Sequence, residues 1–166
     1  MASFKVTDCV AQRAPGRLIR RIDKLMAGLV EQRLEGSSLS FVQWATLKLV
    51  RDGAVMTAGD LAREHSYTTG ATTRLIDGLE MLGMLVRERG LDDRRVVRLS
   101  VTSKGAEAIV AILPVVITCW NEVMVDFDQA EADRLADSLA KLLAAIENKV
   151  GKGRTNDRAR ALEAAL

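Results

Sequence analysis

Apolar positions recur along this chain in distinct rhythms, and each change of rhythm is marked by a capping or turn residue. After the break at Pro15 and Gly16, residues Leu18, Ile22, Leu25, Met26, Leu29 and Val30 return at helical spacing with charges between them, which predicts an amphipathic first helix. "EGSSLS" interrupts that pattern and supplies Ser40 as the N-cap of a short, mostly buried helix, "FVQWATLKLVRDG", ended by Asp52 and Gly53. Thr57 caps a third helix of barely two turns, "AGDLAREH", with Asp60 placed as the acidic partner of a capping box. Thr68 caps a fourth, "TGATTRLIDGLEMLG", in which Ala71, Leu75, Leu79 and Leu82 fall on one face.

Beyond Gly83 the rhythm shortens. "MLVRERG" and "VVRLSVT" alternate or run apolar with β-branched residues, and "GLDD" between them carries turn chemistry, so the pair reads as a β-hairpin. From Thr102, a further cap, "SKGAEAIVAILPVVITCWNEVMV" predicts a long helix, apolar nearly all round between Ile109 and Val116 and therefore expected to be enclosed. Pro114 should kink it, because the ring removes a hydrogen bond and crowds the preceding turn. A last amphipathic helix, "DQAEADRLADSLAKLLAAIENKV", sets Leu135, Leu139, Leu142, Leu143 and Ile146 along one side.

A short helix pair followed at once by a hairpin is the plan of a winged helix-turn-helix. The expected fold is mainly α with a small β-hairpin wing: a winged helix-turn-helix domain plus a helical dimerisation region. The expected boundaries are 1–35 for an N-terminal arm and first dimerisation helix and 36–104 for the DNA-binding domain. Residues 105–150 then hold the C-terminal dimerisation helices, and 151–166 a tail expected to be flexible. A chain of 166 residues has too little core to cover all these apolar stripes, so a homodimer is expected.

Composition narrows this picture. Aromatic residues make up 4% of the chain, so the core must be built from aliphatic side chains and Met, which suits packed helices. The opening "MASFKVTDCVAQRAPGRL" lacks the apolar stretch of an export signal, and the greasiest run, 108–120, is shorter than the roughly 20 residues needed to span a bilayer. The expectation is a cytoplasmic protein without a membrane partner. Cys9 and Cys119 lie far apart and form no metal-ligand spacing. A single histidine excludes most His-based catalysis, and no phosphate-binding loop, nucleotide fingerprint or nucleophile elbow is present. Neither an enzyme nor a bound cofactor or metal is expected.

Net charge is only +2, so its placement matters more than its size. Positive charge gathers in residues 1–35 and negative charge in 105–150, while "SYTTGATTRL" contains no acid and Arg94, Arg95 and Arg98 crowd the hairpin.

These elements, with the motif "DRRVVRLSVTSKG", resemble the MarR family of bacterial transcriptional regulators. The resemblance rests on Asp93, Arg94, Arg95, Val97, Leu99, Val101, Thr102 and Gly105. Upstream it extends through Leu61, Ala62, Gly70, Ala71, Thr73, Arg74, Leu75, Leu79, Glu80, Gly83 and Arg87, covering residues 57–105. His65 and Tyr67 depart from it, standing where the family usually has aliphatic residues. Met84 and Val101 each replace a frequent Leu. The resemblance implies a homodimer on double-stranded DNA, and ligands that sit between the DNA-binding and helical lobes.

The chemistry of the residues fits that implication. With Leu75 inward, Thr69, Gly70 and Thr73 face outward and Arg74 flanks them, and Thr68 and Thr72 complete the candidate set. Threonine can hydrogen-bond a base edge or set its methyl against thymine, and arginine can take guanine or phosphate. At the hairpin tip Arg95 is suited to enter an A·T-rich minor groove, Asp93 to orient it, and Arg94 and Arg98 to contact phosphate. A solvated Thr-rich face and a solvated charged turn are the bland alternatives, which the adjoining motifs disfavour.

Trp44, His65, Tyr67 and Trp120 are candidates to line a pocket for a small aromatic or amphipathic effector, with ordinary core filling as the competing reading. For His65 a partly buried packing role is favoured over a ligand-binding or pH-sensing one. Two further functions compete with an effector-responsive repressor. One is a winged-helix module that binds protein; the other is a redox-sensing regulator using Cys9 or Cys119, although inert thiols fit the surroundings better.

Overall fold

The computed structural model describes residues 5–89 and 97–163. A single 3-10 turn, Val6–Cys9, precedes α1 (Pro15–Arg33), which starts on a proline whose missing N–H costs nothing at a helix start. There follow α2 (Phe41–Arg51), α3 (Ala58–Glu64), α4 (Thr69–Met81), β1 (Leu85–Arg89), β2 (Val97–Val101), α5 (Ser103–Val123) and α6 (Gln129–Glu163).

The caps read from sequence are the ones used. Ser40 Oγ accepts from Gln43 N, and Gln43 Oε1 accepts in return from Ser40 N at 2.9 Å, closing a capping box on α2. At α3 the shorter Asp60 still closes the box, accepting from Thr57 N at 2.9 Å and from the Thr57 hydroxyl at 2.8 Å. The Thr57 hydroxyl is the main cause that holds the Asp60 carboxyl below its usual range, opposed by burial and helped by the backbone N–H groups of Met56 and Thr57 and by Arg63. Thr68 Oγ1 accepts from Ala71 N at the start of α4.

Thr102 does two jobs, accepting from Gly105 N at 3.1 Å and donating to Gly83 O at 2.7 Å, so the start of α5 is tied to the end of α4. The helix ends differ in one respect. Gly53 and Gly83 take the left-handed conformation that closes α2 and α4, whereas α3 closes on Ser66 at φ +53°. Tyr67 N reaches back to Ala62 O at 3.0 Å across that turn.

The strands pair antiparallel with Leu85 opposite Val101, Arg87 opposite Leu99 and Arg89 opposite Val97. Leu99 N donates to Met56 O at 2.9 Å, so the residues before α3 lie along the free edge of β2.

One apolar core joins most of the elements. Met26 and Val30 of α1 share it with Trp44, Leu47 and Val50 of α2, Leu61 of α3, Ile76 and Leu79 of α4 and the strand residues Leu85 and Leu99. Ile109, Ile112, Val116 and Cys119 of α5 complete it. Two compact units result, Met1–Trp120 and Asn121–Leu166. The sequence suggests boundaries at 35, 104 and 150. The core cluster contains residues of α1 and α5 together with those of the winged elements.

α5 differs from expectation in two ways. Only one side of it is enclosed within the chain, leaving Val110, Ile117 and Trp120 exposed. By length and composition alone it also suffices to cross a bilayer, contrary to the reading of 108–120 as too short. Its apolar residues Ile109, Ile112, Val116 and Cys119 join the core with Trp44 and Leu47, while its other side stays exposed. It passes Pro114 without interruption.

The second unit is dominated by α6, whose Leu135, Leu139, Leu142, Leu143, Ile146 and Val150 are all exposed. This helix runs to Glu163, into the stretch that the sequence suggested as a tail.

Candidate nucleic-acid interface

The two faces of α4 are sharply different. Thr72, Ile76 and Leu79 are buried, with Ala71, Leu75 and Leu82 half-buried beside them. Thr72, a DNA-binding candidate from the sequence, is therefore turned into the core instead. Its side chain is 2% exposed, and its hydroxyl donates to Thr68 O at 3.1 Å, inside the helix. The spacing 72, 76, 79 puts it on the core stripe, where its methyl packs as valine would.

Thr69, Gly70, Thr73 and Arg74 are exposed together. The Thr73 hydroxyl donates to Thr69 O at 2.9 Å, leaving a lone pair and the methyl outward. Around Gly70 there is open space: a Cβ built there meets nothing within 4 Å among the described residues. No acid lies in the first turn, so the partial positive charge of the helix N-terminus is not cancelled locally. Thr68 is exposed as well, but its oxygen is engaged as the cap.

The wing is braced onto this helix by Arg87. Its guanidinium donates to Asp77 Oδ1 at 2.8 Å and to the Glu80 carboxylate, and its backbone N donates to Glu80 Oε1 at 3.1 Å. The sequence reading used Arg87 only as part of a pattern and missed this brace. The available signal was Asp77 and Glu80, an acid pair on one helix face just before a strand that carries a cation. Arg98 is exposed on β2 opposite Glu88, whose carboxylate accepts from the Ser100 hydroxyl at 3.0 Å. Asp93, Arg94 and Arg95 lie outside the described residues.

Trp44, His65, Tyr67 and Trp120, suggested as one pocket lining, are not brought together. Trp44 is buried, its indole N–H donating to Ile109 O at 3.2 Å and its ring stacked on Phe41. Trp120 is exposed on α5. His65 and Tyr67 do meet, with ring centroids 5.3 Å apart in a stacked arrangement.

His65 Nε2 lies 3.1 Å from Thr46 Oγ1, and Thr46 gives its own proton to Val42 O at 2.8 Å. The imidazole is therefore the donor, which assigns the proton to Nε2 in the neutral ring. Burial pushes the His65 pKa below the usual imidazole value, against the opposing pull of Glu64 and Asp23.

Two cavities, of about 590 and 440 Å³, are lined by other residues: Glu31, Leu39 and Gln43 among those in the first, Arg51, Glu107 and Val110 in the second. Cys119 is buried. Among the described residues no three His, Cys, Asp or Glu side chains converge as a metal site.

Comparison with known proteins bears on this geometry. Residues 39–97 match the model of the MarR family. The chain is 26% identical over 123 residues to the HTH-type transcriptional repressor YetL of Bacillus subtilis, covering 73% of this chain and 74% of that protein. Its fold is similar to apo MarR from Escherichia coli, at a TM-score of 0.67 and 26% identity over 78% of this chain and 96% of the other. A mutant MarR from Escherichia coli complexed with operator DNA, at 24% identity, shares the fold with a TM-score of 0.66 over 84% of this chain and 99% of that one.

Proposed function

The chain is a member of the MarR family of transcriptional regulators, and from that premise we propose that it acts as a homodimeric, sequence-specific repressor of transcription that responds to a small effector. The observation that carries the reading is the exposed face of α4. There Thr69, Thr73 and Arg74 offer hydrogen-bonding groups to base edges, and Gly70 leaves room for a close approach of DNA to the helix backbone. In this reading α4 is the recognition helix in the major groove, Arg95 enters the adjoining minor groove, Asp93 orients it, and Arg94 and Arg98 hold phosphates.

Support for a second copy comes from apolar side chains that a lone chain leaves in water. On α1, Leu18, Ile19, Ile22 and Leu25 are exposed, and α6 presents a longer stripe from Leu135 to Val150. A two-fold dimer turns the two recognition helices toward half-sites of a pseudo-palindrome about one DNA turn apart. An effector, small and aromatic or amphipathic, acts in this scheme by favouring a dimer geometry whose helix spacing no longer matches. Repression rather than activation is favoured by YetL, itself a repressor. A cytoplasmic location follows from a target that is DNA.

Equilibrium binding to duplex DNA across a range of salt concentrations tests this reading. Arg74→Ala should weaken binding and lower the slope of log affinity against log salt by about one. An affinity that ignores both salt and Arg74 contradicts DNA recognition through α4 and points to a protein-binding module.

A further inference from the structure

We propose that Tyr67 is a DNA-backbone contact, its phenol hydroxyl donating to a phosphate oxygen, and that His65 is the positioning residue that holds its ring. The inference rests on the DNA-binding reading above and adds to it a contact from the turn that precedes the recognition helix.

Four observations converge on this turn. Tyr67 immediately precedes Thr68, the cap of α4, and so stands within one turn of Thr69 and Gly70. It is 42% exposed, and its ring stacks on that of His65. The fourth helical residue, the usual partner of an apolar group at this position, is Thr72, a threonine whose side chain is buried in the core. Last, the His65 ring that stacks on it is fixed at its far side, donating to Thr46, a threonine of α2 with no exposed surface.

The consequence is a preset reach. Two rotatable bonds place a tyrosine hydroxyl, and the stack against an anchored imidazole restricts them before any ligand arrives, so little freedom is lost on contact. The turn itself is held, since Ser66 takes φ +53° and Tyr67 N bonds to Ala62 O. A phenol at the entrance to a helix that faces DNA meets phosphate oxygens first, because they line the groove edge. Being neutral, the phenol releases no bound cation from the DNA, which separates its signature from that of an arginine.

The test uses the full-length protein and a duplex that it selects from a random pool, with a scrambled duplex of the same composition beside it. Binding is measured for the wild type, Tyr67→Phe, His65→Leu and the double variant. Tyr67→Phe should lose roughly tenfold on both duplexes alike, as expected for a hydrogen bond to a charged acceptor, with the salt slope unchanged. His65→Leu should weaken binding when Tyr67 is present and have no further effect when combined with Tyr67→Phe.

Tyr67→Phe binding as tightly as the wild type overturns the contact. An equal cost of His65→Leu with and without the tyrosine hydroxyl overturns the positioning role. Loss of binding in Arg74→Ala together with unchanged Tyr67→Phe would leave DNA recognition standing without this contact, and failure of the wild type to select any duplex would remove both.

Discussion

The guanidinium of Arg87, on the first wing strand, lies 2.8 Å from the carboxylate of Asp77 on α4. Both side chains are partly exposed, so the pair adds no more than about 1 kcal/mol to folding. Its larger effect is on geometry, since it fixes the angle between the helix and the hairpin that follows it. Arg87→Gln should therefore shift the melting temperature only slightly and weaken DNA binding clearly, with the oligomeric state unaltered in sedimentation. Parallel losses of stability and binding would make the pair merely structural.

Gly70 sits in a helix where nothing among the described residues requires a glycine. Gly70→Ala should raise stability by about 0.5–1 kcal/mol in chemical denaturation, because alanine loses less backbone freedom on folding. The same substitution should reduce affinity for DNA, since the methyl occupies the space that a groove wall would take. A stabilised variant with unchanged DNA affinity would contradict the placement of Gly70 against the ligand.

Gly105 is the opposite case. A Cβ there would stand 2.2 Å from the Met84 carbonyl oxygen, a backbone atom that cannot swing away. Gly105→Ala should cost at least about 2 kcal/mol, by forcing α5 away from the turn before β1. Denaturant unfolding measures this, and a loss below a few tenths of a kcal/mol would mean that the helix start shifts freely.

His65 gives stability a dependence on pH. Its folded pKa is lowered by burial, so the unfolded chain binds the proton more readily than the folded one. The contribution is complete above the unfolded value of about 6.5 and is lost as pH falls from there through the folded value. The denaturation midpoint of the wild type should thus decline between about pH 7.5 and pH 5 more steeply than that of His65→Leu. Identical pH profiles would show that the imidazole stays solvated in the folded state.

Much of the fold was legible because caps and periods are local signals. Ser40, Thr57, Thr68 and Thr102 each begin the helix expected of them, and the change of period after Gly83 marks the hairpin. The outward face of α4, with Thr69, Gly70, Thr73 and Arg74 exposed, follows the helix period, while Thr72 does not belong to it. Leu75 and Ile76 are both apolar and neighbour the same inward face, and Thr72, three residues before Leu75, falls on that face as well, so the helix period itself argues against counting it among the DNA contacts.

Long-range contacts left less trace. Thr46 and His65 are nineteen residues apart, and nothing in either segment announces their hydrogen bond. Trp44 looked equally suited to a pocket or a core, and only the position of Ile109 O decides for the core. The division of the chain near Trp120 goes with a core that α1 and α5 share with the winged elements, which no boundary signal in the sequence marks.

The most direct measurement is a selection of bound duplexes from a random pool, repeated at low and moderate salt. A dimer reading DNA through α4 should enrich an inverted repeat whose half-sites lie about one helical turn apart, with A·T-rich flanks where the wings reach. No enrichment at either salt, from protein that is folded and dimeric, would contradict the account.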